Sequence, residues 1–245
     1  PGATIDYDPL PLTQGTIVGI AQDRTWTDVR IHKGYPEPNL CPRKRVRSHY
    51  YTYEAVTRKL KIGSKNRAVV DIENRGKGVW RLHHGTPFKD TAAPGDLIRL
   101  PREYARPHCM SFVSCEGLRF ENVTLLAAPG FGVTDKAGSG SVYERFRIIP
   151  GPPPPGATDP RLFSSMYDGL NVKAGRSGPI VRNGTFAYTG DDAIAWYMNP
   201  LLVLNTPEPS RAHLALKNDV TTCRPGDRLR FPIPGTEATV TVTVA

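Results

Sequence analysis

Three pentapeptides can be laid over one another: Phe131-Gly132-Val133-Thr134-Asp135, Asp168-Gly169-Leu170-Asn171-Val172 and Asp192-Ala193-Ile194-Ala195-Trp196. Each follows the pattern of a variable residue, a small residue, an apolar residue and two further positions. A second set runs in phase with the first: Glu121 to Leu125, Glu144 to Ile148 and Arg182 to Phe186. The first offset in this set is 23 residues. The second is 38, and the excess is a Pro-rich insertion, Pro150 to Met166, just before Asp168. Short strands repeating at this period are the signature of a solenoid, in which each coil buries its apolar strip only by stacking on its neighbours. Leucine-rich repeats share the period, but their leucine framework is missing. The fold class expected is therefore all-β, with a partial parallel β-helix over residues 104–199. A β-sandwich with chance similarity is the alternative.

The flanking sequence has a different texture. Gly 23 and Pro 24 punctuate short runs of Val, Ile, Thr, Phe and Tyr, and helix signals are weak throughout. Residues 1–103 read as a β-barrel-like domain. Thr16 to Ile20 and Thr27 to Ile31 pair around a turn at Gln22-Asp23-Arg24. Further strands are expected at Tyr50 to Tyr53, Lys59 to Ile62, Val69 to Ile72, Val79 to Leu82 and Leu97 to Leu100. Pro94-Gly95-Asp96, which precedes the last of these, returns as Pro225-Gly226-Asp227. Residues 200–245 thus read as the start of a second β-barrel-like unit, truncated in this segment.

With 39% hydrophobic residues the chain is globular, and no apolar run is long enough for a membrane span. No signal peptide is visible in the segment. The formal charge of +9 attracts anions, and Arg43-Lys44-Arg45-Val46-Arg47 is the clearest basic run. It lacks any nucleic-acid-binding context and reads as a solvated loop, so no nucleic-acid partner is expected. Cys41, Cys109, Cys115 and Cys223 form no C-x-x-C pair, which argues against structural zinc. Two disulfides are possible in a secreted protein.

The stacked register places Asp168 and Asp192 on adjacent coils, with Asp191 beside Asp192 in the turn Thr189-Gly190-Asp191-Asp192. Each dipeptide alone is ordinary turn chemistry. Together, three carboxylates on one patch raise the pKa of at least one member, so that one stays protonated while another stays ionised. That pairing is what a glycosidase requires. Trp196 and Tyr197 offer a flat face to a sugar ring, although Trp196 aligns with apolar Val172 and can equally be core. Lys136, Lys173 and Tyr197 occupy the next aligned position, as sugar-binding groups or as solvated strand ends. Asp135 is a candidate fourth carboxylate, but its aligned partners Val172 and Trp196 argue for a structural place. Asn122 and Asn183 head glycosylation sequons that also align in the repeat, which favours ladder-forming side chains. Within the Pro-rich insertion, the stretch Pro150 to Pro160 is expected to project as a loop and to wall the cleft.

Tyr167-Asp168-Gly169-Leu170 followed by Thr189-Gly190-Asp191-Asp192-Ala193-Ile194-Ala195 resembles the N-T-D-G and G-D-D-C-I-A-I elements of polygalacturonases, inverting enzymes on a right-handed β-helix. Their following Gly-His-Gly and Arg-Ile-Lys elements are missing here, and His213 is a poor substitute. A closer resemblance is to the α-1,3-galactosidases of glycoside hydrolase family 110, β-helix enzymes with β-barrel insertions and three catalytic aspartates. It covers most of the chain. This resemblance implies Asp168 as general acid, with Asp191 and Asp192 holding and activating water, whereas the polygalacturonase pattern gives the acid role to Asp191, the first Asp of the Gly-Asp-Asp. The galactosidase resemblance implies a secreted, extracellular or periplasmic hydrolase of a terminal galactoside or related plant or host glycan. A pectin-type endo-hydrolase and a non-catalytic glycan-binding β-helix protein are the competing readings. Inversion would need acid and base roughly 6.5–9.5 Å apart. No cofactor is implied and no metal is identified, although calcium suits clustered carboxylates.

Overall fold

A computed structural model describes residues 2–39, 48–64, 67–102, 108–198, 200–216, 222–233 and 235–244. The basic run 43–47 and Cys41 lie outside the described residues. Among those residues the chain is all-β, with no helix.

The repeats form three parallel sheets. The first holds β1 (Ala3–Ile5), β11 (Val123–Leu125), β14 (Arg147–Ile148) and β17 (Thr185–Phe186). The second holds β10 (Arg119–Glu121), β13 (Val142–Glu144) and β16 (Ile180–Arg182). The third holds β9 (Met110–Val113), β12 (Val133–Lys136), β15 (Leu170–Lys173) and β18 (Ile194–Tyr197). From β9 to β18 the chain visits the third, second and first sheets in turn, adding one strand to each per repeat. The register is the one the sequence predicts: Val133 pairs with Leu170 and Leu170 with Ile194, while Glu121 pairs with Glu144 and Glu144 with Arg182.

Inward residues of the three sheets share one core of Leu125, Val133, Tyr143, Phe146, Ile148, Leu170 and Val172. Aromatic rings run through it from repeat to repeat. Phe120 stacks on Tyr143 at 5.3 Å, and Phe146 meets Phe186 at 6.5 Å. The corners after the strands are left-handed. Asn122, Arg145 and Asn183 stack there with φ near +50°, a conformation Asn tolerates better than most residues. Their side chains form the expected ladder contacts. Arg145 donates to Asn122 Oδ1 at 2.6 Å, and Asn183 donates to Glu144 Oε1 at 2.9 Å.

The remaining strands are antiparallel. A rolled, barrel-like seven-stranded sheet has the order β5 (Arg67–Val69), β4 (Ser48–Tyr53), β8 (Leu97–Pro101), β2 (Leu12–Ile20), β3 (Trp26–Ile31), β7 (Val79–His83) and β6 (Asp71–Gly76). The expected strand at Lys59 to Ile62 is reduced to one bridge, Tyr53 to Leu60, and Val69 to Ile72 is split between β5 and β6. The start of the barrel-like unit differs from the expectation. Ala3–Ile5 pairs in parallel with Val123–Leu125, so this strand belongs with the repeats and the barrel-like sheet follows it. At the other end, β19 (Leu201–Glu208) pairs with β20 (Arg211–Leu216), and β21 (Arg228–Pro232) with β22 (Thr239–Thr243). These are two hairpins. The recurrent Pro-Gly-Asp phrase does build one recurrent turn. Gly95 and Gly226 both have positive φ, and Asp96 and Asp227 each accept the N–H three residues back at 2.7 Å.

In the insertion before Asp168, most of residues 151–160 is exposed, whereas Arg161 to Met166 turn inward. Leu162 and Phe163 are fully buried, and Phe163 packs among Leu10, Leu12, Tyr35, Ala127 and Met166. Gln14 of β2 bonds it twice: Nε2 donates to the Pro160 carbonyl, and Oε1 accepts the Leu162 N–H, both at 2.9 Å. Arg161 holds Asp6 through both guanidinium nitrogens. The end of the insertion, residues 160–166, is thus a packing layer between the barrel-like sheet and the repeats, because its apolar residues find a core there.

Candidate active site

Asp168 lies at the entry to β15, where two repeats cross closely. Gly169 N–H donates to the Asp192 carbonyl at 2.9 Å, and Gly132 N–H to the Asp168 carbonyl at 3.0 Å. A side chain at Gly169 would meet the Ala193 carbonyl oxygen at 2.6 Å, which explains the small residue in the repeated pattern. Gly190 is tighter still, since a Cβ there would fall 1.7 Å from the Met166 carbonyl oxygen. Close backbone contact, rather than turn conformation, therefore fixes where Asp191 and Asp192 emerge. Thr189 Oγ1 donates to the Asp191 carbonyl at 2.9 Å and closes the turn.

The structure brings the three predicted aspartates together. One carboxylate oxygen from each of Asp168, Asp191 and Asp192 lies within 4.8 Å of the others. Asp168 is buried at 6% exposure, whereas Asp191 and Asp192 are exposed. Burial pushes the Asp168 carboxyl above its usual range, and the charges of Asp191 and Asp192 push the same way. The hydrogen bond from Asn171 Nδ2 to Asp168 Oδ2 opposes them. The cluster thus holds one carboxyl biased toward the protonated form beside two exposed carboxylates. These are also the three side chains, among the described residues, whose oxygens are placed to hold a divalent cation. The separation of nearest oxygens is shorter than the 6.5–9.5 Å expected of an inverting pair.

Asp191 and Asp192 face a cleft of about 570 Å³ against the barrel-like sheet. Its far wall is Tyr51, Tyr53, Lys59 and Leu60, and Tyr188 lines the near side. Arg99 of β8 spans the two units. Its Nε donates to the Tyr53 hydroxyl at 2.7 Å and its Nη2 to the Gly190 carbonyl at 3.4 Å. The Tyr51 phenol is raised mainly by burial, with the Asp191 charge adding to it and Arg99 opposing. Sequence reading missed Tyr51, Lys59, Arg99 and Asn171. Only Asn171 carried a signal, as the polar member of the aligned strip.

The other predicted residues divide by face. Strand alternation points Val133, Asp135, Leu170 and Val172 to the core side. Ile194 and Trp196 share that face but are exposed on the last strand, Trp196 at 58%. Lys136, Lys173, Tyr197 and the buried Asn171 lie on the opposite face. Asp135 is therefore not a cleft carboxylate. It is 2% exposed and accepts Ser141 Oγ at 2.7 Å inside the core. Trp196 is not aligned with the outward-facing aromatics. It pairs with Val172, its ring lies against Gly178, and it borders a recess by Arg176 and Asp227. Lys136, Lys173 and Tyr197 do line one outer column. Cys109 and Cys115 carry free thiols, so two disulfides do not form. His213 sits in β20, paired with Asn205 in a hairpin.

Compared with known proteins, the chain matches no family model and no curated protein. Among the described residues no helix is long and apolar enough to cross a membrane.

Proposed function

We propose that the chain is a glycoside hydrolase on a right-handed parallel β-helix, cleaving a terminal α-galactoside or related glycan with inversion. One observation carries the reading: a buried Asp168 with a raised pKa stands against two exposed carboxylates, all three within 4.8 Å. Asp168 holds the proton and gives it to the departing glycosidic oxygen. Asp191 and Asp192 hold a water between them and take its proton as it attacks the anomeric carbon. A water making two hydrogen bonds of about 2.8 Å spans oxygens roughly 4.6 Å apart, within the 4.8 Å limit of the cluster. Reaching the roughly 6.5 Å of an inverting pair requires the exposed Asp191 and Asp192 side chains to turn away from Asp168. The attacked carbon then lies beyond that water, in the cleft toward Tyr51 and Tyr188.

The galactoside assignment is supported by the one-then-two aspartate arrangement and by the resemblance of Tyr167 to Leu170 and Thr189 to Ala195. An extracellular or periplasmic site of action goes with such a substrate.

The test is hydrolysis of aryl-α-galactosides, galactose-ended oligosaccharides and polygalacturonate by the full chain and its Asp192→Asn variant. Galactoside cleavage, β-anomer as first product by NMR and loss in the variant are expected. Retention rules out the inverting course. Cleavage of polygalacturonate alone moves the substrate to pectin. Glycan binding without cleavage leaves a non-catalytic binding protein.

A further inference from the structure

Lys136 and Lys173 are register partners on adjacent strands of the outer face that begins at Asp168. Like charges directly opposite one another destabilise a sheet. Among the described residues neither ammonium has a carboxylate partner, whereas Arg81, Arg161 and Arg176 are each paired with an aspartate. Lys173 Nζ instead lies 5.4 Å from the centre of the Tyr197 ring and 5.7 Å from that of Phe131.

Phe131 connects this column to the aspartates. On one side His108 lies 4.8 Å away, and its Nδ1 accepts the Phe131 N–H at 3.3 Å. Burial, then Lys136 and Lys173, hold this imidazole below its usual pKa. It is thus neutral, with its proton on Nε2 as a donor. On the other side Tyr167, the neighbour of Asp168, lies 5.2 Å from Phe131. A row of tilted rings therefore runs from the lysines to the residue beside the buried acid.

We infer that this face is a subsite for an acidic sugar, carrying a carboxylate or sulfate, next to the ring whose bond is cut. The inference rests on the glycosidase reading for the neighbouring ring. An anion between Lys136 and Lys173 removes their repulsion and gains two charge-assisted hydrogen bonds. His108 Nε2–H supplies a neutral donor, and Phe131 offers an apolar surface. The same charges set direction, because an acidic sugar is repelled from Asp191 and Asp192. The chain thus takes a glycan with its acidic ring over the lysines and a neutral ring over the aspartates.

The experiment measures binding to the full-length Asp192→Asn variant by calorimetry, so that turnover does not intervene. Ligands are a neutral galactose-ended oligosaccharide, the same chain with an adjoining uronate, the same chain with an adjoining sulfate, and a single-stranded oligonucleotide. The acidic oligosaccharides are expected to bind about tenfold or more tighter than the neutral one, with the advantage shrinking as salt rises. Adding Lys136→Met and Lys173→Met is expected to erase the advantage with circular dichroism unchanged. Whichever acid binds tighter identifies the anion. Equal affinity for neutral and acidic chains overturns the inference, as does an advantage that survives both substitutions or equal binding of the oligonucleotide. Acidic preference in a wild-type chain that cleaves no glycan would sink only the catalytic reading. Cleavage of neutral galactosides without acidic preference would sink only this one.

Discussion

Asn171 donates a hydrogen bond from Nδ2 to Oδ2 of Asp168, three residues earlier on the same strand entry. Both side chains are buried. The donor favours the carboxylate, while burial and the two neighbouring aspartates favour the acid. Asn171 therefore sets how far the Asp168 pKa can rise.

Removing that donor moves the titration upward. In Asn171→Ala, the Asp168 pKa is expected above its wild-type value, and the alkaline limb of the pH–rate profile should shift the same way. Carbon-13 NMR titration of the Asp168 carboxyl gives the answer independently of turnover. A downward shift would show that Asn171 does not act through this bond.

Asp168 also makes stability depend on pH. Its folded pKa is raised, so between the unfolded value, near 3.8, and the folded value the native state binds more proton than the unfolded chain. Stability is lost as pH rises through that window. Asp168→Asn removes the charge and keeps an acceptor for Asn171. Its Tm at neutral pH is expected to rise by roughly 2–4 °C, about what 1 kcal/mol gives in a chain this long, while hydrolysis is abolished. A Tm that falls at neutral pH and matches wild type at acid pH would contradict this.

Gly190 leaves no room for a methyl group. A Cβ there meets the Met166 carbonyl carbon at 2.4 Å as well as its oxygen. Backbone must shift on one side or the other, carrying Asp191 and Asp192 with it. A displacement near 1 Å at such groups costs on the order of 100-fold in rate. Gly190→Ala is expected to lose that much in kcat with far less change in KM, and with a lowered denaturation midpoint. A variant of wild-type rate would show that the turn does not position the aspartates.

Phe163 is the main apolar anchor of the insertion. Truncation leaves a cavity lined by Leu10, Leu12, Tyr35, Ala127 and Met166. Phe163→Ala should cost about 3–5 kcal/mol, read as a lower urea midpoint. A change near zero would mean that the insertion projects from the surface after all.

The sequence by itself determined the repeat, its register and the meeting of Asp168 with Asp191 and Asp192. Parallel strands stack in one register when small and apolar residues recur in phase, and Gly132 and Gly169 recur because the backbones cross there without room for a larger group. It also placed the recurrent Pro-Gly-Asp turn, which depends only on local conformation. Only the tertiary structure decided which way side chains of that register face. Asp135 sits one position before Lys136, and the pleat sends one to Ser141 in the core and the other to the surface. Tertiary packing alone brought Arg99 to the Gly190 carbonyl across 91 residues and turned Arg161 to Met166 inward. Such contacts follow no sequence period. They form because apolar side chains such as Leu162 and Phe163 leave water for whichever surface can cover them.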